Sequence, residues 1–338
     1  MQKNKILAIG IPSYNGEIYL DRCINTFIHP ELEDKIEVII VNDGSKDKTK
    51  EIAECYARKY PNTIRVINKE NGGHGSAVNA ALYSTNAKYY KVVDCDDWVD
   101  TNELVKLVKF LEKNDVDLVA SSYETVDMIT GYSNYINNNV KEYEKIYKLN
   151  ELDTKRLYIS IHATTYKTSL LQKNNIKLQE KTFFVDVEYQ LLPFQYIKTI
   201  AFVDYPVYKY MVGNVNQSVD KTNFVKRYDD HNRVVYRILD FLKNAKLNEK
   251  QKEYVENVFT KVLYTHYALS CYYDNDIERG RTRAIIFDNY LKTTNPYYYD
   301  LMGKIYSNIC HFRKVDFNLK EKERFEKLRK IKKILFSK

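Results

Sequence analysis

The sequence is short of several features that mark whole classes of protein. Proline and glycine are scarce, at six and ten of 338 residues. No apolar run approaches the roughly 18 residues that a membrane-spanning helix needs, and the apolar segment 6–11 is too short for a secretory signal peptide. With 44% hydrophobic and 29% charged residues, the chain is expected to be a soluble globular protein, long enough for one large domain or two ordinary ones.

Cysteine is sparse and irregularly placed. Its five residues are odd in number and share no paired spacing; they are Cys23, Cys55, Cys95, Cys271 and Cys310. This pattern argues against a disulfide framework and against a zinc site, because both need paired or closely spaced cysteines. The sequence therefore favours a reducing compartment, and we expect the protein to be cytoplasmic.

The first 120 residues contain a regular alternation of strand and helix signals. Short apolar runs predict five buried strands, at residues 6–11, 36–41, 63–67, 89–93 and 117–120, with helical patterns between them. Such alternation indicates βαβ units joined by right-handed crossovers. The predicted fold class is therefore α/β, with a doubly wound, mostly parallel, Rossmann-like sheet.

Past residue 120 the signals change. A polar stretch at 121–147 predicts a strand excursion or an extended hairpin, and further strands are predicted at 158–166, 199–203 and 207–211. Beyond about residue 220 the pattern is helical. We therefore expect two domains, an α/β domain at 1–219 and a helical region at 220–338.

Unusual polar residues follow four of the predicted strands. The four clusters lie at residues 12–16, 42–45, 71–75 and 94–97. Because ligands of a parallel sheet bind at the carboxyl ends of its strands, the clusters are expected to form one site.

The last cluster places three carboxylates within four positions. Side chains two residues apart in an extended segment leave on the same face, so Asp94 and Asp96 can converge. Converging carboxylates repel each other unless a cation lies between them, and hard oxygen ligands suit Mg²⁺ or Mn²⁺. The alternative is a solvated turn in which Asp97 or Asp100 caps the helix that begins near Thr101.

The second and third clusters suggest a nucleotide. Asp43 ends the second strand, where an acidic residue meets a nucleoside in doubly wound folds, although an Asx-turn explains it as well. The stretch Asn71-Gly72-Gly73-His74 offers amide donors at a helix start, a setting for phosphate. His74 could contact the phosphate or the donor, or it could act as a local cap that stabilises the loop. The stretch lacks both the Gly-x-Gly-x-x-Gly pattern and a Walker lysine.

Taken in order, the four clusters resemble the family 2 glycosyltransferases of GT-A fold. The resemblance covers residues 3–213 and is strongest up to residue 100. It implies that Pro12, Tyr14 and Asp43 bind the nucleoside of a sugar nucleotide, and that Asp94 and Asp96 form the Asp-x-Asp motif for ribose and the diphosphate-bound metal. The full set of expected donor-binding residues is Pro12, Tyr14, Asn15, Asp43, Asn71, Gly73, His74, Asp94 and Asp96.

The resemblance also implies inversion, and therefore a general base. The segment 183–189 is similar to the family's base motif, but Val185 replaces the acidic residue that usually precedes Asp186. We expect Asp186 to be the base, with Glu188 as the fallback; the alternative is an acidic first turn of a helix. His162 either points toward the acceptor or is a satisfied core histidine. The Gln-x-x-Arg-Trp motif of processive synthases is absent, which favours transfer of a single sugar.

The charge of the chain is concentrated at its end. From Arg313 to Lys338 there are 11 lysines and arginines against 4 acidic residues. From Leu319 to Lys338, apolar residues recur at near-helical spacing among these charges, which predicts a basic amphipathic helix. Such a helix either lies on an anionic membrane surface or packs on its own domain with a solvated basic face.

These expectations combine into a metal-dependent inverting glycosyltransferase of the hexosyltransferase type. It would use Mn²⁺ or Mg²⁺ and move a sugar from a nucleotide sugar, UDP-linked by preference, to a hydroxyl of a glycan or polyprenyl-linked glycan in polysaccharide biosynthesis. The setting would be the cytoplasm, with peripheral attachment to the inner face of the membrane as a hypothesis, and no nucleic acid partner is expected.

Two other classes of protein share some of these features. A sugar-1-phosphate nucleotidyltransferase shares the sheet and the carboxylate metal site, but it opens with a Gly-rich loop carrying a basic pair, which residues 10–14 lack. A non-catalytic nucleotide-sugar-binding or membrane-associated scaffold protein is the third candidate. The carboxylates at the strand ends argue against it.

Overall fold

The computed structural model describes residues 5–138, 140–213 and 221–303. The chain divides into two compact units, Met1–Asp220 with Asp229–Phe259, and Lys221–Tyr228 with Thr260–Lys338. The first unit is built on one ten-stranded sheet and the described part of the second is helical.

The sheet is mixed, with most of its long strands running in one direction. Its strands are β1 (Leu7–Ser13), β2 (Ile36–Asp43), β3 (Ile64–Lys69), β4 (Tyr89–Val92), β5 (Trp98–Val99), β6 (Leu118–Asp127), β7 (Ser133–Ile136), β8 (Ile146–Lys148), β9 (Thr164–Lys167) and β10 (Thr199–Val212). Their order is β3-β2-β1-β4-β9-β6-β10-β5, with β7 beside β6 and β8 beside β10. The neighbours among β3, β2, β1 and β4 are parallel, so the predicted polar clusters emerge at one edge.

Helices join and cover these strands. Those of the α/β layer are α1 (Leu20–Asn25), α2 (Thr49–Lys59), α3 (His74–Tyr83), α4 (Thr101–Lys113), α5 (Thr168–Lys173) and α6 (Asp186–Leu191). β1 and β4 are buried along their whole length, as expected for strands covered on both faces. The alternation predicted for the first 120 residues is confirmed. Asp100 caps α4 with its Oδ1 atom, which accepts from the N–H groups of Asn102 and Glu103, both at 3.1 Å.

Two strand predictions were wrong in detail. Only Thr164–Lys167 of the predicted strand 158–166 is extended, because Ile161–Ala163 forms a 3-10 turn capped by Ser160. This strand, β9, lies antiparallel between β4 and β6. The strands predicted at 199–203 and 207–211 are one strand, β10, with a register shift between Val203 and Tyr208.

The later helices are α7 (Lys221–Lys226), α8 (Tyr228–Asn244), α9 (Glu249–Ala268) and α10 (Ile277–Thr294), with a π-helix at Leu269–Tyr273. Residues 229–259, which sequence analysis placed in the helical region, belong to the first compact unit. These residues pack on the α/β part of that unit, where Tyr254 stacks on Phe194 with ring centroids 3.7 Å apart. The functional division at residue 220 stays a prediction.

The basic segment from Leu319 to Lys338 lies outside the described residues, as does Cys310. Within the described residues, no helix is both long and apolar enough to cross a membrane.

Close packing of α3 on β1 depends on a glycine. A Cβ atom at Gly10 would lie 2.3 Å from the Tyr90 hydroxyl oxygen and 2.9 Å from Cβ of Ala81. The same hydroxyl donates to the carbonyl of Val78 in α3, at 3.1 Å. Any side chain at position 10 must therefore push strand and helix apart.

We predict that Gly10→Ala lowers the free energy of unfolding by about 1–3 kcal/mol, because overpacking forces the neighbours to shift. Gly303→Ala is the control, since its added Cβ meets nothing within 4 Å. Adding Tyr90→Phe to Gly10→Ala should recover part of the loss, as the nearest clashing atom is removed. Equal denaturant unfolding curves for wild type and Gly10→Ala would contradict this account.

Candidate functional site

The first two polar clusters bind each other at the ends of β1 and β2. Asn15, at φ 50°, donates its N–H to the Ser45 hydroxyl at 3.0 Å and accepts at its side-chain oxygen from the N–H of Lys46 at 2.9 Å. The N–H of Gly16 donates to the Thr49 hydroxyl at 2.8 Å. Asn15 therefore orders the loops of the site, while its neighbour Tyr14 is 50% exposed.

Asp43 ties the glycine-rich stretch to β2. Its carboxylate accepts from the N–H groups of Gly72 at 2.9 Å and Gly73 at 2.7 Å and from the Lys69 ammonium at 2.8 Å. Its carbonyl accepts from the side-chain amide of Asn71 at 2.9 Å. Asp43 is 3% exposed. In this geometry its carboxylate shapes the loop, a role that the expected nucleoside contact did not include.

The glycine-rich stretch is in turn covered by the segment that leads to α6. The N–H of Lys181 donates to the carbonyl of Gly72 at 2.5 Å. A Cβ at Gly75 would lie 2.2 Å from the carbonyl oxygen of Gln179, and Gly73 has φ 82°. Glycine is needed here for close approach of two backbones and for a left-handed turn.

His74 joins this loop to the acidic run. Its Nε2 lies 2.8 Å from Oδ1 of Asp94. Burial would lower the pKa of His74, but the charge of Asp94 and their hydrogen bond outweigh burial and raise it. Burial likewise opposes ionisation of Asp94, and the charge and hydrogen bond of His74 prevail to hold its pKa below the usual range. The two residues therefore form a charge-assisted pair.

The other two aspartates of the run are less well stabilised as anions. Burial and the charge of Asp94 raise the pKa of Asp96 to about 6. Burial, with the charges of Asp96 and Asp94, raises the pKa of Asp97 well above its usual range. This happens although Asp97 accepts from the Tyr208 hydroxyl at 2.5 Å and from the N–H of Met211 at 2.7 Å. Uncompensated negative charge therefore accumulates where sequence analysis placed a cation.

Among the described residues, a set of three potential metal ligands differs from the predicted pair Asp94 and Asp96. Asp94, Asp97 and His162 each offer one atom, and these atoms lie within 4.8 Å of one another. Burial lowers the pKa of His162 to about 4, so its ring is neutral at pH 7. The ring stacks on Tyr210 with centroids 4.2 Å apart. His162 therefore lies beside the acidic run. It was expected either to point toward the acceptor or to be a satisfied core histidine, and a place in this cluster was not predicted.

Two cations near the run were missed by sequence reasoning. The fully buried Lys91 of β4 donates to the carbonyls of His162 at 2.7 Å and Thr164 at 3.2 Å, and burial lowers its pKa to about 7. A lysine inside an apolar strand was the available signal. Arg22 of α1 lies over the Trp98 ring, 4.1 Å from its centroid, and donates to the carbonyl of Asp96 at 2.6 Å. Nothing local in the sequence marked it.

Asp186 opens α6 and faces the same cluster. Burial raises its pKa, the charge of His74 opposes that rise, and the charge of Asp94 adds to it. Asp186 and Asp94 both act on His74, which places the three ionisable groups in one electrostatic neighbourhood. Glu188 is different, because it is fully buried and paired with Arg237 at 2.7 Å. The fallback carboxylate is therefore bound within the protein.

Known proteins bear on this arrangement. The model of glycosyl transferase family 2 matches residues 8–176. The uncharacterized glycosyltransferase EpsJ of Bacillus subtilis strain 168 is 28% identical over 237 residues, which cover 69% of this chain and 68% of EpsJ. The minor teichoic acid biosynthesis protein GgaB of the same strain is 36% identical over 138 residues, which cover 40% of this chain and 15% of GgaB.

A solved structure extends the likeness to the fold. Residues 1–349 of S. aureus TarS, in complex with UDP-GlcNAc, match with a TM-score of 0.65 at 22% identity, over 92% of this chain and 87% of that one. The likeness confirms the predicted GT-A architecture of a mostly parallel sheet with flanking helices. Since the family model spans half of the chain, including the ends of β1, β2, β3 and β4, the protein is a glycosyltransferase that belongs to glycosyl transferase family 2.

Proposed function

We propose that this enzyme is a metal-dependent, inverting glycosyltransferase that moves a sugar from a UDP-sugar to a hydroxyl of a glycan or lipid-linked glycan. One observation carries the proposal: the Asp186 carboxylate lies in the same electrostatic neighbourhood as His74 and Asp94, at the carboxyl edge of the sheet. A candidate base therefore lies within electrostatic reach of a candidate donor site.

The donor would bind across the loops that follow β1, β2 and β3. Pro12, Tyr14 and Asp43 would meet the nucleoside, and His74 with the loop amides would meet the diphosphate. The position of His74 at the start of α3 supports this role, because the free N–H groups of a helix start favour an anion. TarS, which shares the fold, has been seen with UDP and with UDP-GlcNAc, and this supports a uridine nucleotide here.

The reaction would proceed by direct displacement. An acceptor hydroxyl oxygen forms a bond to the anomeric carbon while the bond from that carbon to the diphosphate oxygen breaks. Asp186 accepts the hydroxyl proton as the new bond forms. Its raised pKa supports this role, because burial makes the carboxylate a better proton acceptor than a solvated one.

The residues of the acidic run fit a divalent cation. Three carboxylates lie within four positions here, and the pKa of Asp96 is raised to about 6 by burial and by the charge of Asp94, which a cation would relieve. We infer that Asp94 and Asp96 hold the ion together with the donor diphosphate, since Asp97 already accepts two hydrogen bonds from β10. When bound, Mn²⁺ or Mg²⁺ supplies positive charge that stabilises the departing nucleoside diphosphate.

The metal assignment predicts that Asp96→Ala weakens Mn²⁺ binding by roughly tenfold or more, because one of two charged ligands is lost. Binding is measured by the loss of the free Mn²⁺ electron paramagnetic resonance signal, with UDP present. The control is Asp34→Ala, at an exposed acidic residue remote in sequence. If His162→Gln abolished binding while Asp96→Ala bound as wild type, the ion would belong to the Asp94, Asp97 and His162 set instead.

The base assignment predicts that Asp186→Asn lowers the rate of UDP release about 10²- to 10⁴-fold, since an amide cannot accept the proton. The rate is measured by hydrolysis with Mn²⁺, using whichever of UDP-glucose, UDP-galactose, UDP-GlcNAc and UDP-GalNAc the wild type hydrolyses fastest. Glu180→Gln, at an exposed position in the segment before α6, should keep the wild-type rate. Full activity of Asp186→Asn would show that another group is the base.

Two observations support a cell-surface glycan on a lipid carrier as the acceptor: the name of a relative and the composition of the C-terminal segment. GgaB is named for minor teichoic acid biosynthesis, which supports a cell-surface glycan as acceptor. Cytoplasmic enzymes that build such glycans on lipid carriers must reach a membrane, and the basic amphipathic pattern from Leu319 to Lys338 supports peripheral attachment.

Removal of residues 317–338 is therefore expected to abolish sedimentation of the protein with vesicles containing anionic phosphatidylglycerol. Binding of the full chain should fall as salt is raised, because the attraction is electrostatic. Neutral phosphatidylcholine vesicles are the control. Unchanged sedimentation of the shortened chain would contradict membrane attachment through this segment.

A further inference from the structure

An arginine of α8 reaches the helix that carries the candidate base. Nη1 of Arg237 lies 2.7 Å from Oε2 of Glu188, and its Nη2 donates to the carbonyl of Lys177 at 2.6 Å. The same Glu188 carboxylate accepts from the N–H of Gln179 at 2.9 Å and from the Gln179 side-chain amide. The Glu188 carboxylate and the Arg237 guanidinium thus tie the start of the stretch that precedes α6, at Lys177 and Gln179, to α6 itself.

The chemistry of this pair is structural. Glu188 is fully buried, and a buried carboxylate is stable only when its partners satisfy it. Arg237 is well suited to the task, because its planar guanidinium can bind a carboxylate and a carbonyl at the same time. Glu188 lies two residues after Asp186 in a helix of only six residues. Whatever fixes Glu188 therefore also fixes the turn from which the Asp186 side chain emerges.

The backbone that enters this turn is strained and needs such support. Lys181 has φ 49° and Phe184 has φ 64°, both in the left-handed region that non-glycine residues rarely adopt. Such a backbone conformation persists only where the surroundings hold it. Arg233, one turn before Arg237 on α8, donates to the carbonyl of Lys181 at 2.8 Å. The base segment thus receives hydrogen bonds from two arginines of one helix.

We propose that Arg237 is a positioning residue for the transfer reaction: through Glu188 it holds the first turn of α6 and so sets the place of the Asp186 carboxylate. The inference rests on the proposed role of Asp186 as base. It assigns a catalytic consequence to α8, which lies beyond the residues matched by the family model.

The test is a kcat and KM comparison for UDP-sugar hydrolysis, with the donor chosen as above. Arg237→Met is expected to lower kcat about 10- to 100-fold, since small misplacements of a reacting group are costly, while KM for the donor stays within about twofold. Arg237→Lys, which keeps the charge and one contact, should fall between wild type and Arg237→Met. An unchanged kcat in Arg237→Met would overturn the inference.

Arg65→Met is the matched control for a purely structural effect. Arg65 pairs with Glu37 at 2.6 Å in the same compact unit, at the opposite end of the strands from the site. The Arg65→Met substitution should lower the melting temperature without lowering kcat. A similar fall in kcat for both variants at equal loss of stability would show that Arg237 acts only on folding.

A double-mutant cycle tests the contact directly, and in it Arg237→Lys takes the place of Arg237→Met if that variant folds poorly. Glu188→Gln and Arg237→Met should lower kcat by amounts that do not add, because both break one contact; additive effects would overturn the inference. Asp186→Asn is measured in parallel. If it is inactive while Arg237→Met keeps the wild-type kcat, only the positioning role is wrong. If Asp186→Asn is active, the proposed base is wrong and the positioning role falls with it.

Discussion

Repulsion among Asp94, Asp96 and Asp97 is the constraint on which this end of the sheet depends. Asp94 is stabilised by the imidazole of His74, and Asp97 accepts hydrogen bonds from β10. Burial and the neighbouring charges nevertheless raise the pKa of Asp96, to about 6, and that of Asp97, well above its usual range. The surrounding elements therefore hold only Asp94 firmly as an anion, and the proposed cation would neutralise the negative charge that is left.

The proposed donor loops and the proposed base segment form one hydrogen-bonded path. Asp43 fixes the N–H groups of Gly72 and Gly73, the carbonyl of Gly72 accepts from Lys181, and the carbonyl of Lys181 accepts from Arg233. The path runs from the end of β2 to α8 without leaving the first compact unit. Tight backbone contact at these glycines explains why a side chain there would disturb both halves of the site at once.

Local signals in the sequence were sufficient for the strands of the first 120 residues and for the polar clusters, because each depends on neighbouring residues alone. They narrowed the cap of α4 to Asp97 or Asp100. Contacts between distant residues were not predictable in this way. Nothing near Glu188 indicated that Arg237, 49 positions later, would neutralise it. The antiparallel insertion of β9 was missed for the same reason, since its partners in β4 and β6 are far along the chain.

The cysteines of this enzyme differ in exposure and in reactivity. Among the four cysteines that the structure describes, Cys23 and Cys271 are buried, and Cys55 on α2 is exposed. Cys95 lies within the acidic run, where burial and the charges of Asp96 and Asp94 raise its pKa to about 12. Since thiolates are the reactive form, Cys95 is protected from alkylating reagents at neutral pH. Within the described part of the chain, maleimide dyes should therefore attach at the exposed Cys55 of α2 and leave Cys95 in the acidic run unlabelled.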